Sequence, residues 1–207
     1  MPTDRDDRLV GHESSLERDY AILQEFSPEV AWYEEQPVTI PCRHPDGSIT
    51  PYTPDFLVRY YDPERPPTLT ECKYQSDLVR KAEELAPKFA AGRLYAAEHG
   101  YVYEIATEIE IRTTLLRAAK FLQPFRRDPP TEELADLCLR LVTCYQPIRV
   151  SDLVTKLSAA SGLEPGWVLP CIWFLVSTYE LATDLNQRLS NRTVVSIGTP
   201  QREGDSS

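Results

Sequence analysis

Charged side chains stand inside two stretches that otherwise read as buried β-strands. Asp55 lies in "TPDFLV" (53–58), while Glu71 and Lys73 lie in "TLTECKYQ" (68–75). Side chains alternate between the two faces of a strand, so Glu71 and Lys73 share one face. The intervening turn "PERPP" predicts a hairpin, which brings Asp55 to the same place.

Two carboxylates at one point repel each other unless a cation lies between them. A hard cation such as Mg²⁺ takes one or two carboxylates together with waters and phosphate oxygens. The ammonium group of Lys73 is placed to orient or help deprotonate the attacking water. The pattern PD-x15-ExK therefore indicates metal-assisted hydrolysis of a phosphodiester. From these residues alone, an exposed Glu–Lys pair on a half-solvated strand stays open as the alternative.

Regular elements are predicted on both sides of this pattern. Apolar periodicity and breakers indicate strands at 36–43, 48–62, 68–75 and 101–111, and helices at 13–28, 76–100 and 113–125. The first three strands, joined by tight turns, suggest an antiparallel meander. The helix over 76–100 is long enough as a crossover to make the fourth strand parallel to the third.

The tract "RRDPP" (126–130) reads as a linker to a second domain. Three helices and two short strands follow it, which is the outline of a winged helix. Its third helix lacks the Arg, Lys, Asn or Gln side chains that read bases, and residues 131–199 hold five bases against seven acids. We therefore expect an endonuclease domain over 1–127, and over 128–207 a winged-helix-like protein-docking domain with a disordered C-terminal tail.

The charge distribution bears on DNA binding. The 207 residues carry a net charge of -10, which argues against tight autonomous binding to nucleic acid. Residues 112–127 nevertheless hold five bases and no acid, so Arg112, Arg117 and Lys120 are candidate phosphate contacts, with a solvated helix face as the alternative. Five scattered cysteines and the lack of an apolar run of about 20 residues favour a cytoplasmic protein without a membrane segment.

Five short motifs in order resemble TnsA, the endonuclease subunit of heteromeric transposases in the PD-(D/E)xK nuclease superfamily. They are "ESSLERDY", "EEQPVTI", "YTPDFLV", "ECKY" and "YEIATEIEIR". The resemblance spans residues 13–125, and the tail resembles that family's C-terminal domain. It implies an α/β fold with a restriction-endonuclease-like mixed sheet flanked by helices, followed by a small winged-helix (α+β) domain.

The resemblance also implies a set of site residues. The active site would comprise Glu17, Asp55, Glu71 and Lys73. The metal, Mg²⁺ or Mn²⁺, would be held by Glu17, Asp55, Glu71 and the backbone carbonyl of Cys72. Tyr74 and Gln75 directly follow Lys73 in the chain and are therefore candidate DNA contacts. Glu17 has a competing explanation, because Ser14-x-x-Glu17 also matches a helix capping box. The best-studied type of the family has glutamine at the position of Glu71, and glutamate there adds a metal-binding carboxylate.

The implied activity is cleavage of the 5′ ends of a transposon. The implied partners are double-stranded transposon-end DNA, a DDE-type transposase and an AAA+ ATPase regulator, with the assembly on the nucleoid. A catalytically weak adaptor between transposase and regulator is one alternative, and a stand-alone restriction or repair nuclease is another. The intact charged set favours the enzyme over the adaptor, and the acidic net charge disfavours a nuclease that holds DNA unaided.

Overall fold

A division after Arg112 separates the chain into two units, Met1–Arg112 and Thr113–Ser207. The computed structural model describes the backbone of residues 4–198 and the side chains of residues 15–198. The tail that is expected to be disordered therefore lies mostly outside the described residues. The boundary falls before helix α5 (Thr114–Arg126), which the sequence assigns to the first domain. The tract 126–130, expected as the interdomain linker, instead follows α5 within the second unit.

The first unit is a mixed α/β structure built on one four-stranded sheet. The sheet has the order β1 (Val30–Glu35), β4 (Phe56–Tyr60), β5 (Thr68–Cys72), β6 (Val102–Ala106). The helices are α1 (Asp4–Phe26), α2 (Gln75–Arg80), α3 (Ala82–His99) and α4 (Glu108–Ile111). β4 pairs antiparallel with β1 and β5, while β6 pairs parallel with β5. This mixed sheet flanked by helices is the restriction-endonuclease-like class that the resemblance implies.

Both faces of the central strands are covered. Leu16 and Tyr20 of α1 pack with Phe56, Val58 and Cys72 on one face. Leu57 and Leu69 pack with Ala96 of α3 on the other face. The alternation of a strand assigns its neighbouring side chains to these two layers. As a result all five residues of β5 are buried, Glu71 among them.

The predicted three-stranded meander is wrong, because the stretch 48–62 is two strands. β3 (Ile49–Tyr52) pairs with β2 (Ile40–Arg43) in a separate hairpin. Proline has no N–H to give to a ladder, and the chain breaks at Pro54 before it enters the main sheet as β4. The place beside β4 is taken by β1, which the sequence did not predict. As an edge strand, β1 lacks a buried face that would show as a clear alternation.

Two further elements depart from expectation. The strand predicted over 101–111 ends at Ala106, because a capping box starts α4 at the next residue. The Thr107 side chain accepts a hydrogen bond from the Ile109 N–H, and the Glu110 side chain accepts one from the Thr107 N–H. The helix predicted over 76–100 is divided at Lys81 into α2 and α3. It ends as expected at Gly100, whose φ of 70° suits a left-handed cap.

In the second unit, the described residues 113–198 form four helices that pack with a small sheet. The helices are α5, α6 (Glu132–Tyr145), α7 (Val150–Ser161) and α8 (Pro165–Ser177); the strands are β7 (Ile148–Arg149), β8 (Leu181–Ala182) and β9 (Val194–Ile197), in the order β7-β9-β8. α5 belongs here because its buried face, including Leu122, packs against α8, and Phe121 meets Trp173 edge-on at 5.2 Å.

No single helix in the described part of the chain is long and apolar enough to cross a membrane; α7 and α8 reach that length and composition only as a pair bent by 119°.

Gly92 of α3 gives a test of the first unit's packing. A Cβ atom at this position would overlap the Tyr103 ring. We expect Gly92→Ala to lower the free energy of unfolding by about 1–3 kcal/mol, the usual cost of overpacking. Gly166→Ala is the matched control, since nothing lies within 4 Å of its Cβ position and alanine favours the helix. Urea unfolding measures both, and equal stability of the two variants would contradict the packing described.

Candidate active site

The pairing of β4 with β5 brings the three charged side chains of the sequence pattern together. Phe56 lies opposite Thr70, and the Asp55 N–H donates to the Thr70 carbonyl at 3.1 Å. The Asp55 Oδ2 atom accepts a hydrogen bond from the Cys72 N–H at 2.7 Å. The predicted antiparallel hairpin is thus confirmed for these two stretches, and Asp55 faces the end of β5 that carries Glu71 and Lys73.

A strained residue holds Asp55 from the other side. The Gln36 N–H donates to the Asp55 carbonyl at 2.8 Å, and Gln36 has a φ of 50°. A positive φ is uncommon for a residue other than glycine and costs on the order of 1 kcal/mol. Here it turns the chain after β1 so that this bond can form. Sequence reasoning assigned Gln36 only to the start of a strand.

Glu71 is the most deeply buried of the three charged groups, at 3% exposure. Its Oε1 atom lies 3.3 Å from the Lys73 Nζ atom, and its Oε2 atom accepts from the Tyr52 hydroxyl at 2.7 Å. Lys73 is itself held through its backbone, whose N–H donates to the Ala106 carbonyl of β6 at 3.0 Å. A buried carboxylate needs such partners, because desolvation without them is costly.

Two tyrosines near Glu71 were not predicted from the sequence. Tyr52 comes from the separate β2–β3 hairpin, and its hydroxyl also shares a hydrogen bond of 2.8 Å with the Tyr103 hydroxyl of β6. The ring of Tyr103 lies against Gly92, where a side chain would not fit. Tyr52 stands three residues before Asp55, but an aromatic residue in a strand reads as packing. Only the tertiary fold reveals it as the donor to Glu71.

Glu17 lies inside α1, which runs from Asp4 to Phe26. A capping box requires a helix that begins at its serine, so the capping explanation of Ser14-x-x-Glu17 is wrong. Glu17 is half-buried, and its negative charge adds to the larger effect of burial in raising the pKa of both Asp55 and Cys72. The structure therefore places the Glu17 carboxylate within electrostatic reach of the other charged groups.

Excess negative charge is the main electrostatic feature of this cluster. Burial first, and then the charge of Glu71, raise the pKa of Asp55 to about 7; Lys73 and the Cys72 N–H lower it, and Glu17 raises it. Burial and the same carboxylates raise the pKa of the Cys72 thiol. One ammonium group thus offsets three carboxylates only in part, which is the situation that a bound cation relieves.

The carboxylate oxygens of this cluster are suitable ligands for a divalent metal ion, but the side chains are not arranged as a complete metal site. Among residues 15–198, no three His, Cys, Asp or Glu side chains lie together in an arrangement that holds a metal ion. Asp55 instead accepts from Cys72, and Glu71 from Tyr52 and Lys73. Mg²⁺ in proteins usually takes only one or two carboxylates and keeps waters, so Asp55 and Glu71 suffice in number and in donor type.

The predicted DNA-contacting residues are dispersed. Arg112 bonds Asp19 at 2.9 Å and Ser15 at 3.0 Å, and its guanidinium lies over the half-buried Tyr74 ring, so it ties α4 to α1. Gln75 is exposed at the start of α2. Arg117 and Lys120 are exposed on α5, in the other unit. Arg112 has intramolecular partners that the sequence did not suggest.

Comparison with known families places the charged cluster within a matched segment. Residues 27–108 match the family model described as TnsA-like endonuclease N terminal. The segment contains Asp55, Glu71 and Lys73, and it leaves Glu17 just outside. No curated protein matches the chain well enough to count as a relative.

The raised pKa of Asp55 predicts a pH-dependent effect of Asp55→Asn. The folded chain binds a proton here more tightly than the unfolded chain, so the contribution of Asp55 to wild-type stability falls as pH rises from about 4 through 7. Asparagine keeps an acceptor for the Cys72 N–H and removes the charge. We expect the metal-free variant to become more stable than wild type across this range, by about 2 kcal/mol or more at neutral pH. Urea unfolding from pH 4 to 8 measures this, and a difference independent of pH would contradict it.

The Tyr52 hydroxyl gives a second prediction. Tyr52→Phe leaves one oxygen of buried Glu71 without its donor, so we expect a loss of about 1.5–3 kcal/mol in the free energy of unfolding. Tyr20→Phe is the control, because the buried Tyr20 hydroxyl shares a hydrogen bond of 3.0 Å with the neutral Thr70 hydroxyl, and we expect about 1 kcal/mol there. Equal losses in thermal or urea unfolding would show that Glu71 does not depend on Tyr52.

Proposed function

We propose, from the TnsA-like endonuclease domain that residues 27–108 form, that this chain is a metal-dependent DNA endonuclease that cleaves the 5′ ends of a transposon. The observation that carries the proposal is the convergence of Asp55, Glu71 and Lys73 at one end of β5 within that domain. A structural sheet has no need for this set, because burying charge there destabilises the fold.

The residues proposed to hold Mg²⁺ or Mn²⁺ are Asp55 and Glu71, with Glu17 and the Cys72 carbonyl as further oxygen donors. The support is the excess of carboxylate over ammonium charge; burial first, and then the charge of Glu71, raise the pKa of Asp55. When bound, the cation would supply neutralisation of the phosphodiester and a polarised oxygen nucleophile. The remaining work falls to the chain's own side chains.

Lys73 is the proposed catalytic residue that orients the attacking water. Its Nζ atom is 3.3 Å from Glu71 Oε1, and its side chain is 13% exposed, so the ammonium group is fixed at the rim of the buried cluster. An ammonium fixed in a water-poor site stabilises charge that builds on a phosphate more strongly than one in bulk water. Tyr52 acts as a positioning residue, because its hydroxyl holds the opposite oxygen of Glu71.

The second unit is proposed to be a winged-helix module that docks a protein partner. From α6 onward its order is helix, strand, helix, helix, strand, strand, which is the order of that motif. α8, in the place of a DNA-reading helix, is largely buried and has no basic residue, although Trp167 near its start is 74% exposed. The proposed partners are an AAA+ ATPase regulator at this unit, a DDE-type transposase and double-stranded transposon-end DNA.

Lys73→Ala tests the catalytic proposal. In an assembly of the chain with a DDE-type transposase, an AAA+ regulator, Mg²⁺ and transposon-end DNA, we expect 5′ nicking to fall at least about 100-fold. Nicking of the 3′ ends by the transposase should persist, because its chemistry is separate. Lys88→Ala, on α3, is the control that should keep 5′ nicking. Denaturing gels with labels on each strand distinguish the two cuts.

Two results would overturn the proposal. Wild-type rates of 5′ nicking by the Lys73 variant would remove the role of the lysine. A wild-type chain that promotes assembly and never nicks a 5′ end would instead identify an adaptor.

A further inference from the structure

A cavity of about 630 Å³ lies in the second unit, between α5 and the loop that joins β8 to β9. We name it the α5–loop groove. Its α5 wall includes Arg117, Ala118 and Phe121, and its loop wall is the run Asn186–Leu189. Its size is that of a pocket for a small molecule or a nucleotide-sized group.

The groove concentrates positive charge in an acidic protein. Arg117 and Arg188 face it from opposite walls, and none of the described residues that line it carries a carboxylate. Arg117 donates to the neutral Thr114 hydroxyl at 3.0 Å. No carboxylate in the described chain forms an ion pair with Arg117 or Arg188. The whole stretch 113–127 holds four bases and no acid, so α5 adds Lys120 to the same positive potential.

An aromatic ring lines the same groove as the two arginines. Phe121 is 40% exposed, and its other contacts hold it in place: Trp173 meets it edge-on at 5.2 Å and Phe125 lies at 5.5 Å. Asn186 and Gln187 add amide donors from the loop wall. Cationic and amide donors around an exposed ring are the combination with which proteins hold a nucleic-acid strand, since phosphates take the donors and sugars or bases cover the ring.

We infer that the α5–loop groove binds the sugar–phosphate strand of DNA, with Arg117 and Arg188 on phosphates and Phe121 against a sugar or base. The inference rests on the proposed function, because it gives the endonuclease its own hold on the DNA that it cuts. It adds the loop residues 186–189 to the predicted strip on α5. It also explains how a chain of net charge -10 contacts DNA through a local patch. An acidic protein segment is the competing occupant, but phosphates match the two guanidinium forks more closely.

Arg188→Glu tests the groove. The full-length chain is titrated, in EDTA to prevent cleavage, against labelled transposon-end duplex and against one of its single strands at several salt concentrations. We expect the dissociation constant to rise at least about tenfold for one or both probes. The slope of the logarithm of the binding constant against the logarithm of the salt concentration should fall in magnitude by about 1. An effect on the single strand alone would assign Phe121 to an unpaired base, and an effect on both would assign the groove to the backbone.

Arg192→Glu is the matched control, because it makes the same charge change in the same loop on an exposed residue that does not line the groove. We expect a change below about twofold, and unchanged thermal unfolding in both variants. Equal weakening by the two variants, or none by Arg188→Glu, would overturn the inference. So would normal DNA binding by Arg188→Glu with loss of the transposase or the ATPase in a pull-down.

The experiments distinguish a groove that does not bind DNA from a chain that is not an endonuclease. A chain that nicks 5′ ends normally with Arg188→Glu and binds DNA as wild type refutes the groove alone. A chain whose DNA binding depends on Arg188 but which never nicks refutes the endonuclease alone.

Discussion

The hydrogen bond from the Cys72 N–H to Asp55 is the contact on which the rest of the active-site arrangement depends. It joins the end of β5 to the break before β4, and the break has to exist for it to form. If residues 48–62 continued as one strand, Asp55 would be a ladder residue and β3 would lie in the main sheet. Because the chain breaks at Pro54, β3 instead pairs with β2, and Tyr52 is carried to Glu71 from a separate hairpin. The single break at Pro54 therefore determines the hydrogen-bond partners of both Asp55 and Glu71.

The local sequence pattern of charged residues in apolar strands was enough to predict that Asp55, Glu71 and Lys73 lie together. Asp55, Glu71 and Lys73 stand out because each is a charge within or next to an apolar strand, and period-2 alternation assigns Glu71 and Lys73 to one face. The network that holds them could not be read in this way. Tyr52 meets Glu71 across 19 positions and Tyr103 across 51, and the positive φ of Gln36 follows from its bond to Asp55. Such contacts become visible only when the tertiary fold exists.

The capping box shows why a short motif needs its context. Thr107-x-x-Glu110 caps α4, although alternation over 101–111 suggested a strand. Ser14-x-x-Glu17 has the same form but lies inside α1, where helical residues precede it and no helix begins. A cap satisfies free N–H groups only where a helix begins. The residues upstream of the motif therefore decide its meaning, and at Glu17 they leave the carboxylate available to act on Asp55.

Binding of a divalent cation by this carboxylate cluster can be observed in crystals of the full chain soaked in Mn²⁺. The soak belongs above pH 7, where Asp55 is ionised. We expect an anomalous-scattering peak between the carboxylates of Asp55 and Glu71 that disappears in Asp55→Asn. A wild-type map without a peak there, at Mn²⁺ concentrations that support cleavage, would contradict it.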